Sequence, residues 1–405
     1  MIFSIAWKNI WRNKLRSLIV IAATTIGVAA GTFSASLMFG VATQKINSSI
    51  SNEVSHIQIH NPNFRENYEF QYTLPDAEKM MKAIAQLPEV KSVAPRTIIT
   101  GMIMSAASSA GIKLNGIDPE IEKKTTTLYT KIADTSGIYF GEGLHNPIVI
   151  SQKLADKLNV RLKSKLILRF QSADGSLIEG AFKICGIYRT SNGMFDEINV
   201  FIRQSDLGTL IGSAPVHELA ILLLNDRQTA EVISTLKKMY PTLEVLSWKE
   251  LLPEIGMLTA MLGMMNYFIL GIILAALAFG IVNTMLMIVL ERTRELGMLM
   301  AIGMNKSRLF RMIMLESILL SLCGGAAGML ISTFIIWLTS RTGIDLSSFS
   351  QGFESLGFDP VMYPEIRPAF YLGTVLMVVI TGILSSLYPA RKALGINPAL
   401  AVKNE

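Results

Sequence analysis

Cysteine and histidine are scarce in this chain. Its 405 residues include two cysteines, Cys185 and Cys323, and four histidines. The topology derived below puts the two cysteines in different compartments, so we expect no disulfide between them and no zinc site built on them. His56 and His60 have the spacing of a helical metal pair, but the run between them alternates like a strand, along which the imidazoles would stand roughly 13 Å apart. We therefore expect no metal site.

Motifs for catalysis and nucleotide binding are also missing. No G-x-x-x-x-G-K-[S/T] stretch, the loop that cradles the phosphates of ATP, occurs anywhere in the sequence. The scattered Cys, His, Ser and Asp residues form no recognisable arrangement of nucleophile and base. We interpret the chain as a protein that is not an enzyme and that has no cofactor of its own.

Long apolar segments, by contrast, are abundant, and 50% of the residues are hydrophobic. Four segments hold about 20 or more mainly apolar residues, enough to cross a ~30 Å hydrocarbon layer: 17–41, 267–290, 309–338 and 368–388. The first could be a cleaved signal peptide, but its apolar run is too long and no clear A-x-A site follows it. Glu316 is the one charge well inside a segment, and we expect it to snorkel or to pair with a nearby arginine such as Arg311 or Arg391.

Basic residues set the orientation of these segments. They are concentrated in residues 1–16, in 291–308 and in the C-terminal tail, which predicts that these parts and both termini are cytoplasmic. Region 42–266 holds 23 basic and 23 acidic residues, so the net charge of +6 comes from the rest of the chain. The excess marks topology and does not indicate nucleic-acid binding. The predicted parts are these: 1–16, an amphipathic helix; 17–41, 267–290, 309–338 and 368–388, transmembrane; 42–266 and 339–367, extracytoplasmic; 291–308 and 389–405, cytoplasmic.

The large region 42–266 reads as mixed α/β. Alternation and β-rich composition predict strands at 54–60, 92–105, 111–117, 147–150, 166–170, 178–187, 198–202, 218–224 and 243–247. Apolar spacing predicts helices at 76–86 and 229–239. Strand–helix–strand patterns at both ends bracket a β-rich middle, so we predict an inserted β-rich subdomain at about 135–212.

The most informative stretch is E-R-T-R-E-L-G-M-L-M-A-I-G, residues 291–303, between the second and third apolar segments. Its composition is helical up to Gly303, which can end the helix, and Asn305 or Ser307 can cap the next one. Arg292, Glu295 and Leu299 share one face. A short amphipathic helix along the membrane surface can dock into a groove on a soluble partner. The alternative is an interfacial cap that only anchors helix ends.

This stretch resembles the coupling-helix signature of the FtsX-like permease family. The start A-W-K-N-I-W-R-N-K-L-R-S at 6–17 and Y-P-A-R-K-A at 388–393 with Asn397 and Pro398 are similar to its other membrane-edge motifs. L-N-G-I-D-P at 114–119 and I-S-Q-K-L-A-D-K-L-N at 150–159 resemble its lipoprotein-releasing branch. The resemblance covers the whole chain. It implies four transmembrane helices with an α+β extracytoplasmic domain that contains the inserted subdomain, the MacB-like periplasmic core.

The resemblance also implies a mechanism and partners. Two such permeases face each other in the inner membrane, and two separate ABC ATPase subunits bind ATP and Mg²⁺ and move the coupling helices. The resemblance implies that ATPase contacts fall on Arg292, Glu295, Met298, Leu299 and Ile302. A periplasmic carrier or adaptor is a further partner of such permeases, but the hairpin around 169–181 is short and has no proline, which weighs against carrier recruitment by this chain.

The cargo prediction rests on the same resemblance. Lipoprotein-releasing relatives hold acyl chains between the first two helices, so we predict an apolar groove lined by Phe33, Leu37, Met38, Met265, Phe268 and Ile272. We expect extraction of lipoproteins from the outer leaflet of the inner membrane. The alternatives are export of a peptide, drug or other amphiphile with an outer-membrane channel, and an FtsX-like regulator of cell-wall hydrolases.

Overall fold

The computed structural model describes residues 2–12, 14–141, 143–172, 174–349 and 358–395. Asn397, Pro398 and residues 350–357 of the loop before the last helix lie outside these ranges. The helices are α1 Ile2–Arg12, α2 Lys14–Ser49, α3 Phe64–Asn67, α4 Ala77–Ile84, α5 Pro119–Thr125, α6 Gln152–Leu158, α7 Gly193–Ile198, α8 Gln204–Ile211, α9 Thr229–Met239, α10 Trp248–Leu251, α11 Pro253–Glu291, α12 Thr293–Ala301, α13 Lys306–Thr342 and α14 Pro368–Leu394. Two compact units are present, one of residues 1–42, 258–345 and 361–405 and one of residues 43–257 and 346–360.

The strands form one large sheet and one small one. They are β1 Ile57–His60, β2 Val90–Met104, β3 Ser109–Ile117, β4 Ile132–Gly137, β5 Pro147–Ser151, β6 Lys165–Gln171, β7 Leu177–Tyr188, β8 Asn199–Arg203, β9 Glu218–Leu223, β10 Glu244–Ser247, β11 Ile344–Asp345 and β12 Val361–Met362. The large sheet has the order β10-β1-β9-β2-β3-β8-β5-β7-β4, with β6 pairing to both β2 and β7.

Four helices of the described chain, α2, α11, α13 and α14, are long and apolar enough to cross a membrane. This confirms the four predicted segments, but the helices extend beyond them. Helices α2 and α11 have 36 and 39 residues, or about 54 Å and 58 Å, against the ~30 Å that the hydrocarbon layer requires. Both cross the residue boundary between the two units. Hydropathy finds the apolar middle of such a helix and misses its polar ends.

Small residues let these helices approach closely. A Cβ added to Gly324 of α13 would lie 2.5 Å from the Thr24 side chain, and one added to Gly328 would lie 2.7 Å from the Thr25 carbonyl oxygen. Both partners belong to α2. The G-x-x-x-G spacing of this pair permits close approach of another helix but does not identify that helix. The structure identifies it as the first membrane helix of the same chain.

The sheet of the second unit closes on itself for part of its length. Strands β2, β3, β8, β5, β7 and β6 form a ring, because β6 pairs with β7 on one side and with the far end of β2 on the other. Ile103, Leu114, Ile148 and Leu166 are among the buried side chains of its core. Strand β2 has 15 residues and also pairs with β9. It therefore joins the β-rich middle to the strands from both ends of the region. The boundary of the inserted subdomain stays a prediction.

Most predicted elements of this unit are present within a few residues, and α9 has the predicted bounds. The strand predicted at 54–60 is wrong in its first half, because a π-helical turn occupies Ile50–Val54 and β1 begins at Ile57. All four residues of β1 are buried, although alternation predicts that one face is exposed. The strand lies between β9 and β10, and both of its polar residues have partners inside: Gln58 donates to the Val54 carbonyl, and Nε2 of His60 pairs with Glu218.

A buried ionic cluster connects β1, β2, β9 and α5. The guanidinium of Arg96 bonds Glu122 at 2.7 Å and Glu218 at 2.8 Å, and Nε2 of His60 lies 3.1 Å from Glu218. Burial alone would raise the pKa of Glu218, but the hydrogen bond with His60 and the charge of Arg96 outweigh it and lower the pKa to about 2. Inside the fold, the members of the cluster supply the hydrogen bonds that water would otherwise give to each charge. Because these bonds require fixed positions, the cluster holds the four elements in register.

Candidate functional site: the short helix between the second and third membrane spans

Helix α12 is bounded by sharp backbone turns. At its end Gly303 has φ +99°, the left-handed conformation that favours glycine. The amide of Met304 bonds the Leu299 carbonyl at 3.0 Å, and the amide of Gly303 bonds the Met300 carbonyl at 3.1 Å. These two bonds form a Schellman motif. Asn305 then caps α13 by accepting from the Ser307 amide. Both end signals predicted from the sequence are confirmed.

One face of α12 is packed against the helical bundle. Leu296 is 2% exposed and belongs to a core with Ile10 of α1, Val289 of α11 and Leu309 of α13. The opposite side is open, since Met298 is 49% exposed and Ile302 is 79% exposed. A nine-residue helix is too short to be stable alone, so the packing of Leu296 holds it in place and presents Met298 and Ile302 outward.

A chain of ion pairs runs behind this exposed end. Arg12 of α1 bonds Glu295 at 2.6 Å, Glu295 lies 3.1 Å from Nε of Arg292, and Nη1 of Arg292 lies 3.4 Å from Glu316 in α13. Arg16 pairs with Glu291 beside it. Three helices are thus connected through four charged side chains. A displacement of α12 has to move α1 and α13 or break these pairs.

The buried Arg292–Glu316 pair and the exposed Arg12–Glu295 pair differ in strength. The side chains of Arg292 and Glu316 are 12% and 4% exposed, whereas those of Arg12 and Glu295 are 50% and 44% exposed. The hydrogen bond from Arg12 lowers the pKa of Glu295, which therefore stays ionised at neutral pH. Exposed pairs contribute only ~0–1 kcal/mol and are screened by salt. Losing one partner of a buried pair costs more, about 3–5 kcal/mol.

The predicted pairing of Glu316 with an arginine is confirmed, but the two arginines named as examples were wrong. Neither Arg311 nor Arg391 pairs with it, and Arg292 does. The physical reason is the packing of Val289 in the last turns of α11 against α13, which places the following Arg292 beside Glu316. The sequence shows a lone acid in one apolar segment and an arginine at the end of the preceding segment. Arg311 is much closer to Glu316 along the chain than Arg292 is, so closeness in sequence did not identify this pair.

The structure separates the predicted ATPase-contact residues into two groups. Met298 and Ile302 lie on the open side, and Leu299 is half-buried. Arg292 points inward to Glu316, and Glu295 is held by Arg12 and Arg292. Arg292 is therefore placed to position α12, and partner contact by Arg292 and Glu295 stays a prediction. The assignment of Met298, Leu299 and Ile302 to a partner surface stays a prediction.

The predicted cargo residues fall on two different surfaces. Met265, Phe268 and Ile272 are 42%, 70% and 57% exposed on the outward side of α11. Phe33, Leu37 and Met38 are half-buried on α2. Contacts between these two helices instead pair Gly27 with Leu277 and Gly31 with Ile273 and Leu270. Among the contacts described between α2 and α11, none joins the two groups, so the groove also stays a prediction.

The buried ionic residues of the other unit were missed by the sequence reading. Arg96, Glu122 and Glu218 are each at most 5% exposed, but they lie far apart in sequence and match no motif. Within the described ranges, no group of three or more His, Cys, Asp or Glu side chains is arranged to hold a metal ion.

Models of known protein families match segments of both units of the chain. Residues 17–239 match the MacB-like periplasmic core domain, and residues 267–398 match the FtsX-like permease C-terminal domain. Similar relatives include the macrolide export ATP-binding/permease protein MacB of a Shewanella species, which is 24% identical over 100% of this chain and 60% of its own length. The pyoverdine export ATP-binding/permease protein PvdT of Pseudomonas savastanoi pv. phaseolicola is 25% identical over 99% of this chain and 59% of its own length.

The chain therefore spans about three fifths of these relatives. Among solved structures, the periplasmic region of MacB from Actinobacillus actinomycetemcomitans aligns with 49% of this chain and 92% of its own, at 13% identity and a TM-score of 0.35. The match to the periplasmic core domain covers more than half of the chain, and the permease domain match contains α12 with its Arg292–Glu295 and Arg292–Glu316 pairs. The chain belongs to the FtsX-like permease family with a MacB-like periplasmic core domain.

Proposed function

We propose that this chain is the permease subunit of an ABC transporter and that an ATPase docks on the open side of α12. The observation that carries the proposal is the arrangement of α12 itself. Met298 and Ile302 are exposed on one side, while Leu296 and Arg292 tie the other side to three neighbouring helices. An apolar surface on a firmly held helix suits docking into a groove on a soluble partner.

The proposed mechanism is mechanical. Closure of the ATPase subunits on ATP moves α12, and the Arg12–Glu295–Arg292–Glu316 chain passes the displacement to α1 and α13. Helices α2 and α11 are longer than the hydrocarbon layer is thick and continue into the second unit without a break. A continuous helix transmits displacement because its backbone hydrogen bonds resist local bending. This proposal requires α12 and both termini to be cytoplasmic and the α/β unit to be extracytoplasmic.

We further propose that the cargo is an amphiphile taken up from outside or from the outer leaflet. The predicted groove residues on α11, Met265, Phe268 and Ile272, are open to an apolar ligand. Relatives bear names that specify macrolide or pyoverdine export, which favours a small amphiphile. The lipoprotein-release prediction remains the second candidate, favoured by the 114–119 and 150–159 motifs. A second permease copy and a periplasmic adaptor complete the proposed assembly.

The docking proposal is tested with Met298→Asp and Ile302→Asp in membranes of the native host. A charge buried without a partner at an interface costs several kcal/mol, so we expect co-purification of the ATPase to fall by about tenfold or more. Ile366→Asp is the matched control, because Ile366 is 42% exposed and precedes α14. Equal ATPase recovery from all three variants would contradict docking at α12.

The two cargo candidates are separated by what co-purifies. Mass spectrometry of the purified assembly without ATP should find a small amphiphile if the export proposal holds, and acylated proteins if lipoprotein release holds. Met265→Asp and Phe268→Asp should reduce the amount bound while ATPase recovery stays unchanged. Retention of all cargo in these variants would rule out the groove without bearing on the docking surface.

A further inference from the structure

A cavity of about 440 Å³ opens in the α/β unit beside strand β7. The loop between β4 and β5, the turn before β6 and β7 itself form its walls. Ile138, Leu144, Leu162 and Ile184 supply apolar surface to it, and Ile138 and Leu144 are 55% and 38% exposed. Its volume lies in the ~300–1,000 Å³ range of small-molecule sites. The permease mechanism proposed above does not use this cavity.

Basic side chains accompany the apolar walls. Lys163, Lys183 and His145 all line the cavity. Lys163 occupies a left-handed backbone position with φ +69°, a conformation that lysine rarely adopts, at the turn leading into β6. The turn is fixed by reciprocal bonds of 3.0 Å, from the Lys163 amide to the Ile184 carbonyl and from the Ile184 amide to the Ser164 carbonyl.

The pairing of β6 with β7 places a third lysine beside Lys183. Lys165 of β6 lies directly opposite Lys183 of β7 in antiparallel pairing. Like charges in this position destabilise a sheet. In the part of the chain that the structure describes, none of Lys163, Lys165 and Lys183 forms an ion pair with a carboxylate. The neighbouring strand positions Arg169 and Glu179, by contrast, pair with each other.

We propose that this cavity binds a single-chain amphiphile with an anionic headgroup. The chain occupies the space between Ile138, Leu144 and Leu162, and the headgroup lies between Lys163 and Lys183. The apolar walls exclude a simple inorganic anion as the preferred ligand, and the lysines exclude an uncharged hydrocarbon. An anion between Lys163 and Lys183 also relieves the repulsion between Lys183 and Lys165. This site goes beyond the proposed permease function and depends neither on ATP nor on α12.

The test uses the full-length chain in nanodiscs of zwitterionic lipid and dodecanoate with a diazirine at its terminal carbon. After irradiation, mass spectrometry maps the labelled residues. We expect labelling in the segments 138–147 and 162–165, in addition to background labelling of the membrane helices. Unlabelled dodecanoate should compete, whereas acetate should not, because acetate lacks the chain. Dodecanol with the same diazirine should label these segments far less.

Three sets of variants make the result specific. Lys163→Glu with Lys183→Glu should reduce labelling of these segments by about tenfold or more, because the headgroup loses its charge-assisted hydrogen bonds. Leu144→Asp should reduce it to a similar extent with the lysines intact. Lys163→Arg with Lys183→Arg should retain it. The matched control is Lys237→Glu with Lys238→Glu, two exposed lysines on α9.

Labelling that is equal for dodecanoate and dodecanol would overturn the proposal, and so would labelling that survives the paired Lys163 and Lys183 reversal. Competition by acetate as effective as that by dodecanoate would identify a simple anion site instead. ATPase recovery measured on the same variants should be unchanged. A failure confined to this assay therefore leaves the permease proposal standing, and loss of ATPase docking in the α12 variants leaves this site standing.

Discussion

The guanidinium of Arg292 lies 3.4 Å from the carboxylate of Glu316, and both side chains are almost fully shielded from solvent. The pair connects the residue that precedes α12 to the third turn of α13. Because a buried charge without its partner is costly, this contact holds α12 against the bundle more firmly than the exposed Arg12–Glu295 pair does.

Replacing Arg292 by Ala should therefore destabilise the membrane unit by about 3 kcal/mol or more, since Glu316 is left buried and unpaired. Thermal unfolding in detergent measures the loss. Arg12→Gln is the control and should cost less than ~1 kcal/mol, with its effect vanishing at high salt. Changing Arg292 and Glu316 together to Met should recover most of the stability. A double variant no more stable than Arg292→Ala would show that the pair is not the cause.

The close packing of α2 against α13 leads to a second prediction, for a substitution at Gly324. In Gly324→Ala the new methyl carbon would meet Thr24 at 2.5 Å, so the helices must separate, and overpacking of this kind costs ~1–3 kcal/mol. Gly373→Ala in α14 is the matched control, because a Cβ there has nothing within 4 Å. The same thermal unfolding assay compares them. If both variants unfold at the same temperature as the wild type, the close approach of the two helices is incorrect.

Asp196 of α7 gives a pH dependence in the α/β unit. It is 3% exposed and accepts hydrogen bonds from the amide and hydroxyl of Thr190. Burial raises its pKa from 3.8 to about 6, although the bonds from Thr190 act in the opposite direction. Protonation is thus favoured in the folded state. The stabilisation from the bound proton is complete below pH ~4 and is lost as the pH rises through 6.

Asp196→Asn should remove this dependence. Relative to the wild type, the variant should gain stability between pH 4 and 7, by up to roughly 3 kcal/mol from the size of the shift. Chemical denaturation at several pH values measures the difference. Asp134→Asn, at an exposed position, should give a flat difference over the same range. A flat difference for Asp196→Asn as well would mean that this carboxyl binds protons equally in the folded and unfolded states, so that burial does not raise its pKa.

The orientation of the chain is tested by cysteine labelling in a variant without Cys185 and Cys323. Cysteines at Asn305 and at Asp345 lie near opposite ends of α13. An impermeant maleimide added to intact cells should react with the cysteine at 345 and not with the one at 305, because basic residues mark the cytoplasmic side. Reaction of both from outside would contradict the four-span topology.

Sequence patterns located the membrane helices, most strands, the end of α12 and the start of α13, because each depends on local composition or on a nearby capping residue. They did not identify the partner of Glu316 or the Arg96 cluster, because these contacts depend on which distant elements pack together. The buried β1 shows the same limit. Alternation predicts that one face of β1 is exposed. The strand instead has a neighbouring strand along each edge and is covered on both faces, so all four residues are buried.

The most direct test of the permease proposal is crosslinking from α12. A photoreactive amino acid is placed at Met298, Ile302 or, as control, Ile366, and native-host membranes are irradiated. The proposal predicts that positions 298 and 302 capture a protein whose peptides contain the G-x-x-x-x-G-K-[S/T] motif of an ATPase, and that position 366 does not. Capture of only lipid or neighbouring helices from all three positions would contradict it.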